Sequence, residues 1–414
     1  MLEIQGKINT AVCYATVIEE GAAEQIRRMC DSALTAGSRV RIMPDVHAGK
    51  GCTIGTTMTV SDKACPNIVG VDIGCGMYTV KLQEKDLNFE KIDEAAHYIP
   101  SGMNTWETPV EEFDLKALRC YRSLHGLKWL NCSLGTLGGG NHFIEIDKAS
   151  NGAYYLVIHS GSRNLGKQVA ELYQDLAVSL HSGREDYYAQ RESIISSYKK
   201  EGRRGEIQSA LKALEAEYKA KEPDVPSDLC WLYGSYFEDY LHDVEICQQF
   251  ARRSREKMAE ILLKRTGKTA SERFHTVHNY IDTNEMILRK GAIAAHKGEK
   301  VLIPMNMRDG SVLAIGKGNP EWNYSAPHGA GRLMSRAKAK EQLSMTEYKA
   351  AMAGIYTTSV NAETIDESPM AYKSAAEIVG VIKDTVEIAD IMKPVYNFKA
   401  AEGEVPWRKK KQGL

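Results

Sequence analysis

No two cysteines in this chain stand at C-x-x-C spacing, which excludes a zinc ribbon or a thioredoxin-type redox pair. No window of about 18 apolar residues is present, so no helix that spans a bilayer is expected. The opening MLEIQGKINTAVCYATVIEEGA has no basic segment leading into an apolar run and is not read as a secretion leader. Nine cysteines, an odd number, then read as reduced thiols in a cytoplasmic protein, most of them small core residues. Charge of one sign is also missing. Lys and Arg total 53 and Asp and Glu 54, a net −1, so nucleic acid would have to be held by a local basic patch. That disfavours a protein that coats long nucleic acid. Internal repeats and low-complexity tracts are absent. What remains is an ordinary globular composition, 43% hydrophobic and 26% charged, and 414 residues are ample for a large core.

Residues 44–77, PDVHAGKGCTIGTTMTVSDKACPNIVGVDIGCGM, organise the rest. They set Asp45, His47, Asp72 and Cys75 among glycines. Asp72 and Cys75 form a D-x-x-C pair, a hard oxygen and a soft thiolate that can meet at one divalent metal, or share the thiolate between two. The interspersed glycines let the backbone approach a bound group closely. The same stretch also reads as tight β-turns around an inert buried cysteine.

Along the chain, residues 17–36 predict a short helix with Ile18, Ala22, Ile26, Met29 and Leu34 on one face. Short strands follow to about residue 85, then helical pieces near 90–99 and 114–124. GTLGGGNHFIEI (135–146) is a glycine loop entering a strand, and YYLVIHSGSRNLGK (154–167) a strand, a polar turn and a helix. Residues 183–224, rich in Lys, Arg, Glu and Ala, predict one or two exposed helices that form a charged arm. Residues 231–267 predict a long amphipathic helix stopped by Gly267. FHTVHNYID (274–282) returns to strand, 286–318 is β-rich, and SAPHGAGRLMSRAKAKEQL opens a helix. Residues 373–392 are expected to be helical, and the tail from 400 to 414 is basic and loose.

Five of the eleven histidines sit in glycine or asparagine contexts at the junctions of strands and loops: His47, His142, His159, His278 and His328. An isolated histidine is usually a satisfied core or surface residue. These five, beside Asp72 and Cys75, supply the imidazole, carboxylate and thiolate donors suited to Mn, Fe, Co or Zn. His97, His125, His181, His242, His275 and His296 are given no such role. His328 lies in H-G-A-G-R with Arg332 and Arg336 close behind. Backbone N–H groups at a helix start plus two guanidiniums make a phosphate cradle, in which a histidine can attack phosphorus or merely donate a hydrogen bond.

PDVHAGKG, VGVDIGCGM, GGGNHFIEI, HSGSRNLG, HNY and HGAGR, in this order, resemble the RtcB-type RNA ligases. The resemblance spans about 38–180 and 228–399. It implies an α+β fold with a β-sandwich-like core flanked by helices, as one catalytic domain over 1–414 carrying the arm at 183–224 and the tail at 400–414. It further implies an enzyme joining RNA ends with a 2′,3′-cyclic phosphate or 3′-phosphate to a 5′-hydroxyl, using GTP and two Mn²⁺ ions, in tRNA splicing or RNA repair. On that resemblance Cys75 bridges the ions, Asp72 and His142 complete one site, and His159 and His278 the other. Asp45 and His47 back them. His328, in the loop with Gly329, Ala330 and Gly331, takes GMP from GTP and passes it to the RNA 3′-phosphate. Asn141 meets the nucleotide phosphates, Glu145 and Lys399 the guanine edge, and Tyr372 stacks on the base. Arg163, Arg332 and Arg336 hold phosphates, and an archease-like activator is a possible partner.

Three features depart from the family pattern. PMNMRDG (304–310) lacks a Gly-Ser-rich turn near the guanine, the arm is divergent, and 15 residues follow Lys399. They point to a divergent branch serving RNA repair. Two other readings use the same residues: a metal-dependent phosphoesterase without covalent nucleotide, and a non-catalytic RNA-binding factor whose metals are structural. A guanylate on His328 separates the ligase from both.

Overall fold

Strands rich in apolar residues build two large sheets and two small two-stranded ones in this computed structural model, which describes residues 1–217 and 222–399. The six-stranded sheet runs in the order Leu2–Gln5, Thr10–Cys13, Val40–His47, Ile54–Thr59, Ile287–Lys290 and Asn279–Asp282. The seven-stranded sheet runs Ala270–Val277, Gly76–Leu82, Tyr154–Ser160, Phe143–Lys148, Val386–Lys399, Gly310–Gly316 and Lys300–Asn306, antiparallel at every pairing.

This second sheet curls until its outer strands approach, with Leu302 N–H donating to Thr276 Oγ1 at 3.1 Å. Its concave face buries Met77, Phe143, Tyr155, Val157, Leu302, Leu313 and Met392. The alternate residues Val80, Ile144, Ile146 and Ile158 point outward against Met258 and Leu262 of the long helix Gly234–Thr266. Each strand thus has two apolar faces, as a sheet covered on both sides requires. The six-stranded sheet packs on Ile26 and Met29 of the helix Glu20–Cys30 and on Leu165 and Val169 of the helix Arg163–Ser179. The chain is therefore α+β, with helices outside a β core.

The long helix ends where expected, at Gly267 in a left-handed conformation (φ 69°) that caps the last turn. It begins at Gly234, because Leu232–Tyr233 pair as a short strand with Lys63–Ala64. In the predicted arm, Glu185–Lys200 and Ile207–Glu217 lie against each other and bury only Tyr187 and Leu214 among their residues. Residues 218–221 of the arm, and the tail 400–414, lie outside the described residues.

Three local expectations are corrected. Residues 114–124 hold two short 3₁₀ turns, Leu115–Ala117 and Tyr121–Ser123, instead of a helix. Only Ala375–Val381 of the segment 373–392 is α-helical. Val386–Lys399 is a long strand inside the curled sheet, where neighbours on both sides satisfy its backbone, and a bulge accommodates Pro394. The helix after the H-G-A-G-R loop starts at Arg336 under a Ser335 cap, not at the glycines, so the backbone around His328 is a loop.

Candidate active site

Four neighbouring strands of the curled sheet end at one rim, and each carries a donor there. Cys75 precedes Gly76–Leu82, His278 follows Ala270–Val277, His159 closes Tyr154–Ser160, and His142 precedes Phe143–Lys148. The pairings Met77 to His159 and Phe143 to His159 hold these ends level. Asp72 arrives from the turn before Cys75. Residues 84 and 119 positions apart in sequence become near neighbours because strand register, not sequence spacing, sets them side by side.

Cys75 Sγ lies 3.5 Å from His142 Nε2 and 3.3 Å from His159 Nε2. His142 Nε2 is 3.2 Å from Asp72 Oδ2, and His159 Nε2 is 3.4 Å from His278 Nε2. Two potential metal groups result, Asp72–Cys75–His142 and Cys75–His159–His278, with the thiol common to both. Donors bound at about 2.0–2.3 Å to one ion stand roughly 3.4 Å apart, so the residues present fit a divalent cation. The imidazoles are already turned for it. His142 Nδ1 donates to the Leu137 carbonyl at 2.9 Å and His159 Nδ1 to that of Asn141 at 3.1 Å, which turns each Nε2 toward the donor cluster. Burial, then the nearby Asp72 charge, pushes the Cys75 thiol far up, and burial pushes His159 and His278 far down. Burial works against ionised Asp72, but the bond and charge of His142 outweigh it and bring its carboxyl to about 2. A dication reverses the penalty on the thiolate.

Glycines of the two motifs are sterically required. A Cβ on Gly161, in HSGSR, would sit 1.9 Å from Asp72 Oδ1. One on Gly331, at φ 73°, would sit 2.8 Å from the Asp45 carbonyl oxygen.

His328 stands beside the donors, its ring 4.9 Å from that of His278. Its Nδ1 donates to Oδ2 of the fully buried Asp45 at 2.7 Å, which holds the ring and leaves Nε2 free. Asp45 therefore backs His328, not the metal donors. His47, whose Nδ1 donates to the Asp45 carbonyl at 3.0 Å, is driven toward the neutral form by burial.

Asp72, Cys75, His159, His278, His328 and His47 line a cavity of about 370 Å³. Asn141, Glu145, Tyr372, Lys399, Arg332, Arg336 and the loop 329–331 line it as well, together with Pro304–Met307 of the divergent segment. His142, Asp45 and Arg163 lie behind its wall. Arg163 donates through Nε to Thr136 Oγ1 at 2.9 Å and through Nη2 to the Gly102 carbonyl at 2.5 Å, beneath the glycine loop. Burial draws it down to about 10. Glu145 accepts from Asn397 Nδ2 at 2.6 Å, and burial followed by the adjacent Asp147 charge pushes its carboxyl up. The six histidines given no role lie outside this cavity.

Sequence reasoning missed Glu367, Asp366 and Arg255. Both carboxylates sit in the same DESPMAYK segment as Tyr372, which was signal enough to weigh them. Arg255 occupies the apolar stripe of the long helix between Ala251 and Ala259, and an arginine there is itself a flag. It is fully buried and donates to the carbonyls of Gly74 and Ser160, each at 2.7 Å, next to Cys75 and His159 in the chain.

A family model described as tRNA-splicing ligase RtcB matches residues 28–122 and 122–400. The chain is 32% identical to RNA-splicing ligase RtcB of Escherichia coli K12, covering 87% of this chain and 90% of that protein. It is 26% identical to RNA-splicing ligase RtcB2 of an Escherichia coli strain, over 94% of each, and 26% identical to tRNA-splicing ligase RtcB of Thermococcus kodakarensis, over 87% of each. This chain belongs to the RtcB family.

Proposed function

We propose that this protein is a GTP- and Mn²⁺-dependent RNA ligase acting in the cytoplasm on ends with a 3′-phosphate or 2′,3′-cyclic phosphate and a 5′-hydroxyl. The observation that carries the reading is His328, with Nδ1 tied to buried Asp45 and Nε2 free in a cavity that also holds the Cys75-centred donor set. A metallohydrolase has no need of a histidine anchored in this way.

In this reading His328 Nε2 attacks the α-phosphorus of GTP, the N–P bond forms, and pyrophosphate leaves. Asp45 stabilises the charge that develops on the ring. An RNA 3′-phosphate then takes the GMP and frees His328, and the RNA 5′-hydroxyl displaces GMP to form the phosphodiester. A 2′,3′-cyclic end first takes up water to become a 3′-phosphate. Asp72, Cys75, His142, His159 and His278 would hold the divalent ions, whose charge, when bound, offsets that on the attacking and leaving oxygens. Asn141, Arg332 and Arg336 would meet phosphates, Tyr372 would stack on the base, and Glu145 and Lys399 would read the guanine edge. Arg163, under the glycine loop, would reach RNA only at the rim. An archease-like activator would raise turnover. Repair of cleaved RNA is the expected role, and strong preference for tRNA exons over damaged RNA would overturn that choice.

Incubation with α-³²P-GTP and Mn²⁺ tests the reading. Acid-labile label on the wild type, absent from His328→Ala, is the expected result. No label with any divalent metal, with or without an archease, would leave the phosphoesterase as the better account.

A further inference from the structure

Glu367 lies on the cavity wall, and the reaction above gives it no part. It closes the 3₁₀ turn Ile365–Glu367 and is 2% exposed. Its Oε1 accepts from Arg332 Nη1 at 3.0 Å and from Arg336 Nη2 at 2.9 Å. Its Oε2 accepts from the Tyr372 hydroxyl at 2.7 Å and from Lys399 Nζ at 2.5 Å. Four donors from three separate segments thus converge on one carboxylate. Asp366 assists, its carbonyl taking Arg332 Nη2 at 2.6 Å and its Oδ2 taking Arg336 Nη1 at 2.9 Å. Burial opposes a charge on Glu367, but Lys399 and Arg336 outweigh it and hold the carboxyl down at about 2. The group is an anion at any working pH.

Arg332, Arg336 and Lys399, with Lys340 at 3.8 Å from Asp366 Oδ1, outnumber the two carboxylates, which favours an anionic ligand. Lysine and arginine side chains left free would sample many rotamers, and ordering them on binding would cost affinity. Tethered, they are already in place. Lys399 keeps two N–H bonds after serving Glu367. An ammonium that only donates suits the O6 and N7 acceptors of guanine and opposes the amino group at the adenine 6-position.

We infer that Glu367 is a positioning residue for the nucleotide: it fixes Tyr372 and Lys399 against the base and turns Arg332 and Arg336 to the phosphates, and so sets base preference. The inference rests on the proposed function, which assigns those four residues to the nucleotide. A merely structural carboxylate would affect folding and rate alike. A positioning one acts on nucleotide affinity and choice and leaves phosphoryl transfer at saturation nearly unchanged.

The test uses the full chain with Mn²⁺ and follows labelling of His328 from α-³²P-GTP and α-³²P-ATP over a range of concentrations. For Glu367→Gln, half-saturation for GTP should rise about tenfold and the GTP-over-ATP ratio fall about tenfold, with the maximal rate within roughly threefold of wild type. Tyr372→Phe, which removes one of the four bonds and keeps the ring, should shift both quantities the same way by less. It decides the matter if Glu367→Gln fails to fold. Unchanged half-saturation and base ratio in a labelled protein would overturn this inference alone. A maximal rate that collapses while half-saturation stays put would overturn it as well. A wild type that takes no label from GTP removes the proposed function, and this inference with it.

Discussion

Asp45 shows how one residue can decide the chemistry. Its fully buried carboxylate gives His328 a fixed tautomer, and in the proposed guanylation an amide of the same size would not replace it, because it carries no charge to stabilise the ring as that bonds to phosphorus. Asp45→Asn should slow labelling of His328 about 100-fold or more while Mn²⁺ uptake, measured by calorimetry, is unchanged. Equal loss of metal binding would instead mean that Asp45 acts on the donor set. Glu145 leads to a prediction about pH. Burial and Asp147 raise its carboxyl in the free cavity, which favours the protonated form there, whereas in the proposed complex the N–H donors of guanine favour a carboxylate. Binding then releases a proton, and GTP affinity rises with pH up to the raised value. Titration in two buffers of different ionisation enthalpy would reveal that proton, and identical binding heats would refute the assignment. Both residues were visible in sequence motifs. Their partners were not, since Asp45 and His328 stand 283 positions apart.

At the scale of elements, the donors are placed by strand ends. GMYTVKL, YYLVIHS and FIEIDK are buried almost continuously, so the pleat of the sheet, not an alternation of apolar and polar residues, sets which side chains face the concave side. Residues 373–392 misled because helix signals in SAAEIVG run directly into a strand whose β character depends on neighbours from residues 143–148 and 310–316. The arm is an element the site does not require. His181 Nδ1 meets Asp224 Oδ1 at 2.9 Å, so the two ends of the segment are joined at its base. Arg184 pairs with Glu215 just above. Replacing residues 190–212 with a short glycine–serine turn should therefore leave labelling of His328 within about twofold of wild type. Loss of RNA joining in that variant, with labelling intact, would assign the arm to RNA or to a partner. Loss of labelling would show that the arm supports the cavity.

For the molecule as a whole, the donor set of the proposed metal site is costly when empty, because a thiol, a carboxylate and three imidazoles, all but Asp72 buried, share one rim. Mn²⁺ at about 100 times its dissociation constant should add about 2.7 kcal/mol of stability and raise Tm by several degrees over protein in EDTA. Cys75→Ala should abolish the shift in differential scanning calorimetry, and a shift that survives it would move the metal elsewhere. No helix among the described residues is long and apolar enough to cross a membrane. The sequence by itself determined the family, the α+β class, the donor types and the histidine in its glycine loop, because each is carried by residue identity and short spacing. Cys75 as the donor common to two groups was already implied by the family resemblance, and the structure brings those residues together. Only the tertiary structure decided that Asp45 serves His328 and that Glu367 gathers four donors from the far end of the chain. Those relations depend on the curl of one sheet and the register of its strands, long-range distances that no local pattern of residues encodes.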